Sequence, residues 1–285
     1  MRFHNILIGF AFSPNLKANV LEAMRIAAFF GGKLFFLHVG EKTSVKEKTF
    51  QEILNGSPVQ PKEVVVLWKK GSAVETIVSQ CQENTIDLLL LGALQRENML
   101  TFYLGSIARK ITRNAPCSIL LLIKPSVERV PSKHMVVNAF ESPQTEATIC
   151  AAFEYAAALD IPKITLVEEI SRTKLAVVVD DDRSLRRATL RKEKIKRQEI
   201  SRVNEILSRV PQNLKSGRKI TSQSIFGARG YSIGHYAKVV RADILVMNAE
   251  ERYSSFLSRI FPKDLEHILS ELPTDVLIVQ NNTYE

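Results

Sequence analysis

Apolar residues gather along this chain in short unbroken runs separated by longer amphipathic stretches. Asn5–Phe12, Lys33–Val39, Val64–Leu67, Asp87–Leu91 and Ser118–Ile123 are the runs of the first half and read as strands. Asp87–Leu91 has no polar alternation, the pattern of a parallel strand covered on both faces. Between the runs the apolar spacing changes to three and four. Leu16–Phe30 carries Ala18, Leu21, Ala23, Ile26 and Ala27 in that rhythm and stops at Gly31-Gly32, so it reads as a helix. Glu41–Leu54, anchored by Phe50, Ile53 and Leu54, reads as a short helix. Gly71-Ser72 opens a third helix, running through Cys81. Gly105-Ser106 opens a fourth, with Ile107, Ala108 and Ile111 on one face and a stop at Ala115-Pro116. Strands alternating with helices in this way predict a parallel α/β sheet with helices on both faces.

After a proline-containing linker at 127–134 the pattern begins again. Met135–Val137 followed by Ser142-Pro143 repeats Ile6–Ile8 followed by Ser13-Pro14. Gly227, Ile233 and Asp243 repeat the spacing of Gly71, Ile77 and Asp87. Ile268, Pro273 and Asp275–Val279 repeat Ile111, Pro116 and Ser118–Ile123. Such self-similarity marks a duplication and predicts two domains, 1–126 and 135–285. The second copy carries an insertion over about 170–212. In it Lys174–Val179 reads as an added strand, and Arg183–Val210 as a long helix whose outer face holds Arg186, Arg187, Arg191, Lys192, Lys194, Lys196 and Arg197. No aromatic residue interrupts that helix, which argues against stacking on single-stranded nucleic acid.

A length of 285 residues suits two domains with real cores. The net charge of +9 favours acidic partners without choosing among them. Cys81, Cys117 and Cys150 lie far apart without metal or disulfide spacing, and read as small core residues of a reducing compartment. The N-terminal run lacks a signal-peptide cleavage pattern, and no segment has the roughly 18 apolar residues of a membrane span. A cytoplasmic protein is expected. None of the histidines (His4, His38, His134, His235, His267) has a metal-ligand partner at suitable spacing, and no Walker loop or nucleophile elbow occurs. No catalytic set and no metal cluster can be assembled, so the chain is expected not to be an enzyme.

The stretch with most chemical promise is the loop from Gly92 to Ser106. It leaves the carboxyl end of a strand and enters a helix through Gly-Ser. A helix start offers free N–H groups and the positive end of its dipole to an anion. A plain turn capped by Ser106 is the other reading.

Both halves resemble universal stress protein domains. The residues that carry the likeness are the ILIGFAFSP start, Leu37-His38-Val39, Gly71-Ser72, Asp87–Gly92, Gly105-Ser106 and the Ala-Pro-Cys-Ser-Ile-Leu-Leu-Leu ending. The resemblance implies two five-stranded parallel sheets in the order 3-2-1-4-5. They would pair through their last strands, Ser118–Ile123 and Asp275–Val279, as an intrachain pseudo-dimer open to further dimerisation. It also implies an ATP or AMP site in the first half around Ala11, Val39, Gly92, Gln95, Gly105 and Ser106. The family's nucleotide-binding pattern departs at two of these: Gln95 stands for its second glycine and Ala11 for a strand-one aspartate. A weakened site is therefore expected. Arg96 and Arg109 lie near enough in sequence to face an anion. In the second half Asn248 and Glu251 replace the first two glycines. Glu250, Glu251, Asp264 and Glu266 place carboxylates near the helix start, so no nucleotide is expected there. The expected role is a regulatory or protective stress-response module with an unknown protein partner. The alternative is a ligand-free scaffold that docks an acidic protein or nucleic acid through helix 183–210, the nucleic acid being the less favoured.

Overall fold

A computed structural model describes residues 2–95, 102–171, 174, 180–249 and 263–280. The first half runs β1 (Asn5–Gly9), α1 (Leu16–Phe30), β2 (Lys33–Val39), α2 (Ser44–Asn55), β3 (Glu63–Lys69), α3 (Ala73–Glu83), β4 (Leu88–Gly92), a two-residue ladder β5 (Leu94–Gln95) with β6 (Phe102–Tyr103), α4 (Ser106–Asn114) and β7 (Ser118–Leu122). The second runs β8 (His134–Asn138), α5 (Thr145–Leu159), β9 (Lys163–Ser171), α6 (Asp182–Arg209), α7 (Gln212–Lys215), β10 (Lys219–Gly227), α8 (Tyr231–Val239), β11 (Ile244–Asn248), α9 (Lys263–Ser270) and β12 (Asp275–Val279). β8 starts at His134, inside the segment read as linker.

The strands do not form two separate sheets. They make one ten-stranded sheet in the order β10-β9-β8-β11-β12-β7-β4-β1-β2-β3. All neighbours are parallel except β7 and β12, which meet antiparallel at the centre. Alternate residues of each strand feed two apolar layers. Ile6 and Ile8 pack with α1, α2, α5 and the end of α6, whereas Leu7 packs with α3, α4, α8 and α9. Burial on both faces explains why these strands read as unbroken apolar runs.

The central seam is built from equivalent positions of the two halves. Leu120 faces Leu277, flanked by Ile119–Ile278 and Leu121–Val276. Ser118 Oγ accepts from Gln280 N at 3.1 Å, and Asp275 Oδ1 accepts from Ile123 N at 2.8 Å. The first residue of each seam strand thus ties down the chain just beyond the other. The repeated aspartates have a shared task as well. Asp87 accepts from the amides of His4 and Asn5 (3.0 and 2.9 Å), and Asp243 from those of Lys133 and His134 (2.6 and 2.8 Å). Each pins the start of the strand beside its own.

Local rules account for several boundaries. Gly31 ends α1 in the left-handed region at φ 59°, donating to Ala27 and Ala28 carbonyls. Gly32 has a different reason to be glycine: a Cβ there would lie 2.6 Å from the His4 carbonyl oxygen. Gly32→Ala is therefore expected to cost about 2 kcal/mol or more, by overpacking against backbone that cannot yield, measured by urea denaturation. Neither Ser13 nor Ser106, the serines at the starts of α1 and α4, caps its helix with its side chain. The Ser13 carbonyl accepts from Leu16 N, and Asn15 is the flanking residue. Ser106 is the first residue of α4, and Gly105 stands at the cap position.

The basic helix is also placed differently from an added element. α6 is itself the crossover from β9 to β10, where the first half uses the shorter α2. Asp181 and Ser184 close its start with a reciprocal capping box. Its last third packs through Val203 and Ile206, while most of its earlier residues are exposed. The strand expected at Lys174–Val179 falls, beyond Lys174, outside the described residues.

Candidate functional site

In the order β3-β2-β1-β4-β7 the chain reverses direction of travel across the sheet between β1 and β4. Crevices open at such points, beyond the carboxyl ends of the strands, because the two loops leave toward opposite faces. A cavity of about 390 Å³ lies there. β1 and its loop contribute Gly9, Phe10 and Ala11; β2 contributes Leu37, His38 and Val39; β4 contributes Leu91 and Gly92. One wall is α3, through Ala73 and Ile77, and the other is α4, through Gly105, Ser106, Ile107, Ala108 and Ile111.

Five of the six residues singled out from sequence therefore border one space: Ala11, Val39, Gly92, Gly105 and Ser106. The sixth, Gln95, is placed through its backbone, paired with Phe102 in the β5–β6 ladder. Arg96 lies outside the described residues. Arg109 does not face the cavity; it donates to Leu104 O at 2.9 Å and to Leu269 O and Glu266 at 3.1 Å. Gly92 is not sterically compelled, since a Cβ there would make only ordinary contact with Asn19 at 3.6 Å. Gly9 is tighter. A Cβ would come to 3.1 Å of Ile77 Cδ1, so glycine at the end of β1 lets α3 close on the sheet.

The lining is mainly apolar, with its polar content at the rim and in one buried ring. His38 is 7% exposed and its Nδ1 lies 3.0 Å from Phe10 O. Its Nε2 has no hydrogen-bond partner and is packed toward Gly40, where a Cβ would sit 2.8 Å away. This imidazole is thus a wedge that fixes the β1 end against β2, within a cluster of Phe10, Phe12, Phe50 and Trp68 rings. The start of α4 is open: no side chain caps it and its first turn holds no acidic residue. α3 likewise has no side-chain cap, although Glu75 lies in its first turn. Gly105 and Ser106, at this uncapped helix start, border the cavity, where the positive end of the helix dipole lies.

The corresponding place in the second half is filled from within. Register puts Glu168 and Glu169 on β9 where β2 has His38 and Val39. The Glu169 carboxylate accepts from Gly230 N at 2.8 Å and Ile233 N at 3.1 Å, occupying the start of α8. Phe140, the counterpart of Ala11, lies under the Arg229 guanidinium at 3.7 Å. Asn248 Nδ2 donates to Ser142 Oγ at 3.1 Å. The space bordered by Phe140, Glu168 and Glu169 is only about 10 Å³. The reason expected from sequence was different. Glu250, Glu251 and the side chain of Asp264 lie outside the described residues. Glu266 turns away from its own half and pairs with Arg109 and Arg113 of the first.

Sequence reading missed Ile77, Leu91 and Ile111 as cavity residues. Their signal was present: Leu91 is an apolar position near the end of β4, and Ile77 and Ile111 are apolar positions in the second turns of α3 and α4, but each looks like ordinary core until the register is known. Cys81 and Cys117 are buried neighbours; their mutual hydrogen bond, then burial, push the Cys117 thiol well above its usual range. Cys150 is half-buried, and none of the three forms a disulfide. Among the described residues no group of His, Cys, Asp or Glu could hold a metal ion, and no helix is long and apolar enough to cross a membrane.

Comparison with known proteins places this geometry. Residues 42–122 match the Universal stress protein family. No curated protein matches the chain by sequence. Among solved structures, a functionally unknown protein from Pseudomonas aeruginosa PAO1 superposes with a TM-score of 0.69 at 14% identity, covering 98% of this chain and 93% of that one. A universal stress protein from Archaeoglobus fulgidus DSM 4304 gives 0.66 at 13% identity, covering 98% and 99%. The cytoplasmic domain of a prokaryotic cation chloride cotransporter gives 0.53 at 13% identity, covering 99% and 97%. At such identities the likeness is one of fold. The stretch that matches this family, residues 42–122, supplies β4, α3 and α4 of the cavity, and the α/β fold is similar to that of a universal stress protein along almost the whole length of the chain.

Proposed function

We propose that the chain is a universal stress protein-type regulatory or protective module, not an enzyme, whose first half binds an adenine nucleotide, ATP or AMP, weakly. The observation that carries this reading is the cavity at the β1–β4 reversal point, bordered together by Ala11, Val39, Gly92, Gly105 and Ser106. Its apolar floor suits a base, and the uncapped start of α4 suits a phosphate. Ala11 offers no side-chain acceptor to a ribose, which makes the binding weak. In this reading residues 1–126 and 135–285 are two domains of five strands each, paired as a pseudo-dimer through β7 and β12. The second is the ligand-free member, because Glu169 already supplies an anion at the start of α8.

Calorimetry with ATP, ADP and AMP at millimolar concentration should give saturable heat. Ala108→Phe, which projects a ring into the cavity from α4, should abolish it while leaving far-ultraviolet circular dichroism unchanged. Absence of heat with all three nucleotides would end the nucleotide reading.

A second reading is favoured by α6. Among the described residues, Arg183, Arg186, Arg187, Lys194 and Arg197 make no ion pair within 4.0 Å and stand exposed along one side. Such a face would dock an acidic protein. Reversal of charge at Arg186, Arg187 and Lys194 should then abolish capture of that partner, whereas unchanged capture would remove the scaffold reading.

A further inference from the structure

We infer that Glu266, in the second half, is a positioning residue for the cavity in the first: through Arg109 and Arg113 it holds the helix that forms the cavity wall. This rests on the ligand reading above. α4 has nine residues, and only Ile111 and Thr112 are buried. A helix so short does not hold its place by its own backbone hydrogen bonds. Yet its first turn carries Ser106, Ile107 and Ala108 at the cavity. Something outside the helix must fix it.

The second half does this at four points. Arg109 joins Leu104 O, the last turn before α4, to Leu269 O and to one carboxylate oxygen of Glu266. Arg113, one turn along, pairs with the other oxygen of Glu266. Leu104 N donates to Leu269 O at 3.1 Å, and Leu272 N donates to Phe102 O at 2.9 Å. The strap Phe102–Leu104 and the first turns of α4 are thus braced by α9 and the residues after it. The Arg109–Glu266 pair is half-buried, with side-chain exposures of 27% and 29%, so water screens it less than it would a surface pair.

The duplication explains why this brace exists in one chain. Arg109 and Glu266 are 157 residues apart, the same separation as Leu120 and Leu277, which face each other at the seam. They are one position of the repeat, seen twice. In a symmetric pair of identical units a residue near the twofold axis meets its own copy. Two arginines or two glutamates would repel there. Divergence into Arg on one side and Glu on the other turns the repulsion into a bridge. Carboxylates near the start of α9 look, from sequence, like a defect in the second half's own loop; Glu266 instead serves the first half's cavity.

The test uses the full chain with ATP as the probe, read by calorimetry and by hydrogen exchange of amides 102–114. Glu266→Gln should weaken ATP binding about tenfold and speed exchange in that segment, with exchange in β1, β2 and α1 unchanged. Glu266→Asp, which keeps the charge, should restore most of both. Should the Gln variant fail to fold, Arg113→Gln carries the same expectation at a more exposed position. Wild-type affinity in a folded Glu266→Gln protein would overturn the inference. If the parent chain shows no heat with ATP, the ligand reading falls by itself, and exchange alone decides the brace: faster exchange over 102–114 upholds it, and unchanged exchange overturns it.

Discussion

Relative to the parent chain, the double variant Glu168→Gln/Asp275→Asn is expected to gain stability steadily as the pH is raised from about 4 to about 8, by on the order of 7 kcal/mol in all. Glu168 is 2% exposed, and neither of its carboxylate oxygens has a hydrogen-bond partner. Burial, and then the Glu199 carboxylate, push it up to about 7 against the opposing pull of Arg202. At the seam, burial pushes Asp275 up to about 7 against the hydrogen bond from Ile123 N, with Glu22 and Asp243 adding to the rise. A carboxyl with a higher pKa in the folded than in the unfolded chain holds its proton better when folded. Its contribution is fully present below about 4, shrinks as the pH rises, and is gone above about 7. At 1.36 kcal/mol per unit the shift is worth about 3 kcal/mol for Glu168 and about 4 kcal/mol for Asp275. Gln and Asn cannot ionise, so the variant escapes that loss. Urea denaturation of both proteins at pH 4.5, 6 and 8 measures it. A difference between them that does not change with pH would show that neither carboxyl is held protonated by the fold.

Leu277→Ala is expected to cost about 3–5 kcal/mol, the range for emptying a fully buried leucine site whose surroundings relax only in part. Leu277 is 0% exposed and faces Leu120, also 0%, at the middle of the seam. The junction between the halves of the sheet consists of three residue pairs, all buried, so the cavity left behind cannot be filled from a neighbouring strand. Guanidinium denaturation reads the loss directly. A cost below about 1 kcal/mol would mean that the seam is not a packed core and that the two halves are held elsewhere.

Much of the fold was legible because its strands are buried on both faces and its helices are amphipathic. α1 and β2 appear with the boundaries expected from periodicity alone, Leu16–Phe30 and Lys33–Val39. Glycine and proline mark most of the remaining ends. The cavity was partly legible. Gly105, Ser106 and Gly92 stand out because loops at strand ends are written in glycine and small polar residues. Ile77, Leu91 and Ile111 do not stand out, because a core side chain and a cavity side chain have the same composition. His38 is a similar case. Its ring reads as a structural strand residue, which its bond to Phe10 O supports, but its place in the cavity wall depends on which strand lies beside β2.

By itself the amino-acid sequence determined the α/β class, most of the order of elements and the region of the loop that meets the cavity. These follow from local periodicity and turn chemistry, which act over a few residues. Only the tertiary structure decided the rest. It merged the strands into one ten-stranded sheet, made α6 the crossover from β9 to β10, set Glu169 on the start of α8, and sent Glu266 across to Arg109 and Arg113. Each of these depends on which distant segments become neighbours and on where a side chain points once they do. A carboxylate four residues into a helix has the same local sequence whether it repels an anion beside it or braces a helix 157 residues away.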